Sequence, residues 1–403
     1  MFQAVINDIK NIYQTKDFIP LHEPCFTGDE NRLVNECLDS TFVSSVGKFV
    51  GQFEKELADV TGVKHVVVTS SGTSALHISC LSLGLKKNDI VWTSPISFVA
   101  SANCALLANA KIDFVDIDPN TYNISTIELK NKLIKAKQNN KLPKLVIVVH
   151  LAGLPCDMHE IYLLSKKYKF KIIEDASHAI NAYYKGLRVG NCKYSEITVF
   201  SFHAVKIITS GEGGIAITNN KKLAIKMQLL RSHGVTREKK LFQNKSINSW
   251  YYEQLLLGFN YRLTEFQAAL VINQLKRVSK FTKKRNSISR LYDSLLKNLP
   301  IKLPAKLSDR ISGMHLYIIQ LDQKKISKKR DEIINYLHRK GIMVNLHYIP
   351  IHTQPYFKNL GFKLGDFPVA EEYYSNTLTL PMFPDLTIKQ VKFITNEIKN
   401  AIN

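Results

Sequence analysis

Val199-Phe-Ser-Phe-His-Ala-Val-Lys-Ile-Ile-Thr-Ser-Gly-Glu-Gly-Gly214 is the stretch on which the reading of this chain turns. It opens as the end of an apolar, β-branched run (Ile197, Thr198, Val199, Phe200), turns polar, and sets one lysine, Lys206, among uncharged neighbours. Gly211, Gly213 and Gly214 then permit backbone angles that other residues resist. Ile215-Ala-Ile-Thr218 reads as a second strand. A lysine on a tight loop between two buried strands loses solvation, which lowers an ammonium pKa toward neutrality. That property suits a lysine that forms a Schiff base with an aldehyde. With 55 lysines and arginines in the chain, a lone lysine on a hairpin is by itself unremarkable surface chemistry. Its neighbours along the sequence decide.

Working outward, residues 50–220 alternate short apolar runs with helical patterns. Val66–Thr69 leads into Gly72-Thr-Ser-Ala-Leu-His-Ile, and Asp89–Trp92 leads toward Phe98-Val-Ala-Ser-Ala-Asn-Cys-Ala. Ile112–Val115, Lys144–Val149 and Lys171–Ile173 continue the series. Runs apolar on both faces, alternating with helices, predict an α/β fold with a mostly parallel sheet covered on both sides. Each run ends in something small and polar: Ser70-Ser-Gly-Thr73, Thr93-Ser-Pro95, His150 and Glu174-Asp-Ala-Ser-His178. In open α/β sheets the working residues collect at the carboxyl edge, so these endings predict one shared site. A long helix is expected over 264–296. Beyond about 310 a strand (His315–Leu321), an amphipathic helix (Glu332–Arg339) and the stretch Ile342–Tyr348 read as a smaller α+β domain.

The bulk numbers narrow the class. At 403 residues and 45% hydrophobic the chain is long enough for two or three domains. No apolar run approaches the roughly 20 residues that cross a bilayer. The N-terminus carries Asp8 and no small-residue cleavage site, so it reads as a short amphipathic helix, not a secretory signal. The six cysteines are scattered, without a C-x-x-C pair, which fits reduced thiols in the cytoplasm and gives no support for a metal site. The formal charge of +21 comes from lysines spread over several segments, not one basic arm. It therefore argues against nucleic-acid binding, and suits attraction of an anionic small substrate such as a nucleotide diphosphate.

The polar endings carry individual meanings. Ser70-Ser-Gly-Thr-Ser-Ala75 lies between a strand and a helix, where free amides and hydroxyls make either a phosphate seat or an ordinary cap. Asp175 at a strand end is either a helix cap or the partner of a protonated pyridine nitrogen, which would make that ring an electron sink. His178 is placed to hold a phenolic oxygen, and Phe98 offers a flat face, although a phenylalanine is more often core. Their order is more specific than any one of them: phosphate turn, aromatic, Asp with a nearby His, Ser201, then Lys206 before a glycine turn. That is the layout of a fold-type I pyridoxal-phosphate enzyme.

Four segments make the resemblance specific. Ser201-Phe-His-Ala-Val-Lys206, Gly211-Glu-Gly-Gly214, Arg231-Ser-His-Gly234 and Gly258-Phe-Asn-Tyr-Arg-Leu-Thr-Glu-Phe-Gln-Ala-Ala269 resemble the sugar-nucleotide aminotransferases of the DegT/StrS type, from about residue 18 to the C-terminus. Trp92–Cys104, Glu174–Ala179, Trp250–Gln254 and Asn345–Tyr356 look like the branch serving pseudaminic acid synthesis. Residues 18–50 look more like the related transaminases of legionaminic acid or bacillosamine synthesis, with Leu21 where the first branch tends to carry an aromatic residue.

The resemblance implies an N-terminal extension (1–18), a large cofactor domain (19–275) and a small C-terminal domain (276–403). It implies that Lys206 holds pyridoxal 5′-phosphate as a Schiff base, that Asp175 pairs with the ring nitrogen, that Phe98 stacks on the ring and that His178 sits near its oxygen. Gly72, Thr73, Ser74 and Ser201 would hold the phosphate, completed by Asn260 from the second subunit of a homodimer. Sugar-nucleotide contacts would fall on Thr41, Phe42, Val43, Ser44, His203, Asn260, His347, Tyr348, Ile349 and Pro350. The implied reaction is transfer of an amino group from L-glutamate to C4 of a UDP-4-keto-6-deoxy-N-acetylhexosamine. Three rivals are weighed beside it. A dehydratase of the same fold would replace the lysine with histidine; a regulatory protein would bind the cofactor without turnover; a basic nucleic-acid-binding protein would use the glycine turns structurally.

Overall fold

The computed structural model describes residues 18–245 and 248–402. The extension and helix expected at the N-terminus lie outside these residues, except for position 18. Among the described residues no helix is long and apolar enough to cross a membrane.

Seven strands form the central sheet: β1 (His65–Thr69), β2 (Ile90–Thr93), β3 (Lys111–Phe114), β4 (Leu145–Val149), β5 (Lys171–Asp175), β6 (Ile197–Ser201) and β7 (Gly214–Thr218). Their order is β1-β7-β6-β5-β4-β2-β3. Strands β3, β2, β4, β5 and β6 pair in parallel, while β7 runs antiparallel to both β6 and β1. The fold class expected from the sequence is the one found. β7 is the single reversed strand of this sheet, and the reversal makes the connection from β6 to β7 a tight loop. That loop carries Lys206.

Successive side chains on a strand point to opposite faces, so a strand buried on both sides must be apolar throughout. Val67, Ile147, Ile173, Val199 and Ala216 pack in one core with α3 (Gly72–Ser82), α4 (Ala100–Leu107) and α7 (Lys221–Arg231). Val66, Val68, Phe200, Ile215 and Ile217 face the other way, toward α1 (Glu30–Asp39), α2 (Phe49–Thr61) and α8 (Glu265–Leu296). Val146, Val148 and Ile172 pack there against α5 (Thr126–Gln138) and α6 (Met158–Tyr168).

Helix α8 is 32 residues long and begins with a capping box between Thr264 and Gln267. Ala268 through Phe281 pack in the core beneath the sheet, whereas Ile288, Tyr292 and Leu296 belong to the core of the smaller lobe. The boundary expected at 275/276 therefore falls inside a continuous helix that both lobes share. The smaller lobe adds a three-stranded antiparallel sheet around β8 (Tyr317–Leu321) and β9 (Thr377–Leu380), with α9 (Arg330–Arg339), α10 (Pro368–Asn376) and α11 (Ile388–Ile402). Residues 342–348 join no strand: Ile342 makes a single bridge to Ile19 and Asn345 one to Thr379.

The start of α8 also pins the segment before α2. The Glu265 carboxylate accepts hydrogen bonds from the Phe49 and Val50 amides at 2.6 and 3.1 Å, and the Glu265 amide donates to the Ser44 carbonyl. Glu265 is fully buried, so these bonds satisfy amides that the first turn of a helix otherwise leaves open. We expect Glu265→Ala to cost about 1–3 kcal/mol in denaturant unfolding, and to expose residues 41–48 to limited proteolysis. Unchanged stability and cleavage would remove this role.

Candidate active site

The lysine loop is closed from below. The Ser210 amide and the Thr209 hydroxyl both donate to the Phe202 carbonyl, and the Phe202 amide donates to Gly213. Gln274 of α8 grips Thr209 twice, accepting from its amide and donating to its carbonyl. The Lys206 amide donates to His203, so the side chain leaves a turn that is itself fixed. Lys206 lines a cavity of about 650 Å³ at the carboxyl edge of the sheet. Burial pushes its ammonium down from the usual 10.5 to about 8, against the opposing pull of Asp175 and Glu212. At that value a useful fraction of the amine is neutral near pH 7–8, as a nucleophile or base requires.

Facing the lysine is the turn between β1 and α3. Ser71 caps the helix by accepting from the Ser74 amide, which leaves the Gly72 and Thr73 amides at the positive end of the helix dipole. Two glycines let the backbone come together here. A Cβ on Gly214 would lie 2.1 Å from the Ser71 carbonyl oxygen, and one on Gly72 would lie 3.0 Å from the Ser201 Cβ. The Ser201 hydroxyl, the turn and the start of β7 therefore form a narrow cradle lined by Ser70, Ser71, Gly72, Thr73 and Ser201. Ser74 stands one step behind it, its hydroxyl bonded to those of Ser70 and Ser71. Donors at a helix N-terminus suit a phosphate.

Asp175 ends β5, buried, and both of its oxygens are held. Ser101 donates to one at 2.6 Å, and the Ser177 hydroxyl and amide donate to the other at 2.6 and 3.2 Å. Ser97 in turn bonds Ser101 at 2.7 Å. The preceding residue, Glu174, faces the opposite side and anchors the strand ends. It accepts from Ser195 and Thr198 and pairs with His150 Nε2 at 2.9 Å. The Cys156 amide donates to His150 Nδ1, so the imidazole proton sits on Nε2 and points at Glu174. The sequence offered Asp175 but not these supports. Ser97 lies in the bend before α4 and Ser101 in its first turn, so their pairing depends on how the chain enters that helix.

The remaining walls come from separate parts of the chain. His178, buried, holds the Tyr348 hydroxyl at 3.1 Å through Nε2. Tyr348 lies 6.3 Å from the exposed ring of Phe98, and His347 is bonded to Thr379. His203 and Glu212 face each other at 3.5 Å on the cavity wall. The single cavity thus brings together Gly72, Thr73, Phe98, Asp175, His178, Ser201, His203, Lys206, His347 and Tyr348. It does not include Asn260, Thr41, Phe42, Val43, Ser44 or Ile349, which are exposed, or Pro350, which is buried outside it.

A cation-pairing carboxylate, a half-dry lysine and an anion cradle around one cavity define the class: a fold-type I enzyme built to hold pyridoxal phosphate. The residues present fit that group, because the cradle is too narrow for a side chain on Gly72 or Gly214 yet rich in donors. Comparison with known proteins agrees. Residues 24–399 match the model of the DegT/DnrJ/EryC1/StrS aminotransferase family. The chain is 38% identical to the UDP-4-amino-4,6-dideoxy-N-acetyl-beta-L-altrosamine transaminase of Campylobacter jejuni over 87% of this chain and 89% of that one. It is 33% identical to the GDP-perosamine synthase of Vibrio cholerae over 96% and 99%. Among solved structures, Helicobacter pylori PseC, an aminotransferase involved in the biosynthesis of pseudoaminic acid, superposes with a TM-score of 0.86 at 31% identity, covering 96% and 99%. The PLP form of the putative sugar aminotransferase Spr1654 from Streptococcus pneumoniae gives 0.85 at 27% identity, covering 95% and 98%.

The chain belongs to the DegT/DnrJ/EryC1/StrS aminotransferase family. It is a pyridoxal-phosphate-dependent sugar transaminase.

Because the Lys206 ammonium is lowered, covalent uptake of pyridoxal phosphate by the cofactor-free protein should accelerate as pH rises and level off above about 8, followed by visible absorbance. Glu212→Gln removes a carboxylate that favours the ammonium, so the midpoint should move lower. A rate still climbing toward the usual lysine range would contradict the desolvated amine.

Proposed function

We propose that this transaminase moves the amino group of L-glutamate to C4 of a UDP-4-keto-6-deoxy-N-acetylhexosamine, in the manner of the UDP-4-amino-4,6-dideoxy-N-acetyl-beta-L-altrosamine transaminases. The observation that carries this reading is the 38% identity to the Campylobacter enzyme across 355 residues. A second reading takes a GDP-linked sugar instead, favoured by the perosamine synthases, which cover more of the chain at slightly lower identity. The legionaminic acid or bacillosamine type of substrate remains a variant of the first reading, carried by the character of residues 18–50.

In this reading Lys206 is the catalytic acid and base. When bound, pyridoxal phosphate supplies an electron-withdrawing ring that stabilises negative charge at the carbon losing its proton. Lys206, partly neutral at working pH, takes that proton and returns it. Asp175, held against rotation by Ser101 and Ser177, would be the carboxylate that pairs with the ring nitrogen. Thr73, Ser201 and the Gly72 and Thr73 amides hold the phosphate, supported from behind by Ser74. Phe98 would offer its face to the ring and His178 would be the partner of the ring oxygen.

A homodimer completes the site. Asn260 lies beside the phosphate turn through the bond from the Ser70 amide to the Tyr261 carbonyl, yet it faces outward. Phe42, Val46, Trp250, Tyr252 and Leu257 are also exposed, Leu257 by 82%. Apolar residues left open in such number suit burial against a second copy. That copy would bring Asn260 and the Thr41–Ser44 loop to shared nucleotide-sugar sites alongside His203 and residues 347–350.

The protein supplied with L-glutamate should turn over the β-L epimer of the UDP-4-keto sugar in preference to the D-gluco-derived ketone and to a GDP-4-keto-6-deoxy sugar, read by chromatography of the amino product. Preference for either competitor would replace the substrate assignment. Asp175→Asn should lower kcat by about 10²–10³-fold with little change in retained cofactor, and an unchanged kcat would exclude its role.

A further inference from the structure

Four histidines from four separated segments meet at the cavity wall, His178 and His347 lining it and His22 and His315 behind. His178 lies 4.5 Å from His315 between ring centroids. His315 stacks on His22 at 5.2 Å with only 14° between planes, and His22 meets the edge of His347 at 6.2 Å. Arg285 of α8, fully buried, stands behind them. Its guanidinium donates to the carbonyls of Met314, His315 and Met382 and has no carboxylate partner among the described residues. The backbone fixes the arrangement. The Gly313 amide donates to Gly153, and the His315 amide to Ala152. A Cβ on Gly153, whose φ is +94°, would lie 2.7 Å from the His178 carbonyl oxygen and 3.0 Å from the Met314 amide. Gly153 is thus wedged between the backbone of His178 and that of residues 314–315.

Resting on the reading that His178 meets the cofactor's ring oxygen, we propose that His315, backed by His22 and Arg285, is a positioning residue that fixes the orientation of the His178 ring at the cavity wall. His315 does not line the cavity, so it acts through His178. The groups facing His178 are Lys206 from the β6–β7 loop, His347 and Tyr348 from the smaller lobe, and His22 and His315 from behind. Asp175, three residues earlier, already has both oxygens engaged by Ser101 and Ser177. Burial first, and then the neighbouring Lys206, disfavour the imidazolium at 178. Arg285 acts on the other members of the stack, its guanidinium disfavouring the imidazolium at both His22 and His315. The stack is thereby kept uncharged, and His178 remains a neutral partner for Tyr348 and for the ring oxygen over the working range of pH.

The test uses the full-length protein, labelled with ¹⁵N in its histidines, with and without pyridoxal phosphate. In the wild type the His178 ring should stay neutral well below the ordinary 6.5, and its signals should keep one tautomer. His315→Ala should lower kcat about tenfold with the KM for the UDP-sugar unchanged, and should broaden or split the His178 signals. His315→Phe, which restores a ring against His178, should recover most of the rate and the single set of signals. Arg285→Met should raise the pH at which the histidine cluster protonates; if it does not fold, the wild-type titration and the His315 pair still decide. A His178 that titrates near 6.5 in the wild type, or a folded His315→Ala with unchanged kcat and unchanged His178 signals, overturns the proposal. Failure to take up pyridoxal phosphate would instead count against the assigned roles of Lys206 and the phosphate cradle, and the cofactor-free spectra separate the two.

Discussion

An amine must be dry enough to lose its proton and still open to a substrate. Those demands conflict for lysine, whose strongly hydrated ammonium seeks water. Here the conflict is met by geometry. One reversed strand, β7, turns the chain back at the carboxyl edge, so Lys206 leaves a loop held through Phe202, Gly213 and Gln274. Asp175 and Glu212 oppose the lowering of its pKa, so the amine is poised and not simply neutralised. The phosphate turn, the aromatic wall and the histidines have meaning only in relation to that amine.

What surrounds the lysine divides by rigidity. The strand-end groups, Asp175 and the Ser70–Thr73 turn, are fixed by the sheet and by hydrogen bonds within a single domain. The histidines and Tyr348 come partly from the smaller lobe and reach the cavity across the joint that α8 spans. Arg285 sits at this joint, its Nη1 donating to backbone carbonyls of residues 314, 315 and 382, so it ties the lobe's loops to the helix beneath the site. Truncating it would leave those carbonyls unpaired in the interior, which is the costly way to lose a buried hydrogen bond.

Much of this was legible in the sequence because the signals were local. The seven strands follow from short β-branched runs, since a strand covered on both faces must be apolar at every position, and each expected run lies within a residue or two of an observed strand. Lys206, Asp175 and the serine–glycine turn were legible because strand ends and glycines mark the edge where a site forms. The supports were not. Ser101 reaches Asp175 across 74 residues of chain, Tyr348 reaches His178 across 170, and His22 meets His315 because the segment around Ile19 and Leu21 packs onto the smaller lobe through Ile342 and Met382. Pairings of that kind depend on register and packing, which periodicity does not encode. Residues 342–348 show the opposite failing of pattern: an apolar stretch that contributes single bridges and wall residues but joins no strand. The exposed positions 41–44 and 260 line no part of the cavity around Lys206, and nothing in their local pattern could have said so.

The most direct measurement is to reduce the pyridoxal-phosphate-loaded protein with borohydride, digest it and map the modified lysine by mass spectrometry. The expected result is a single modification, on the peptide containing Lys206, that disappears in Lys206→Ala. A modification spread over surface lysines, or one that persists at another position in the variant, would contradict the account.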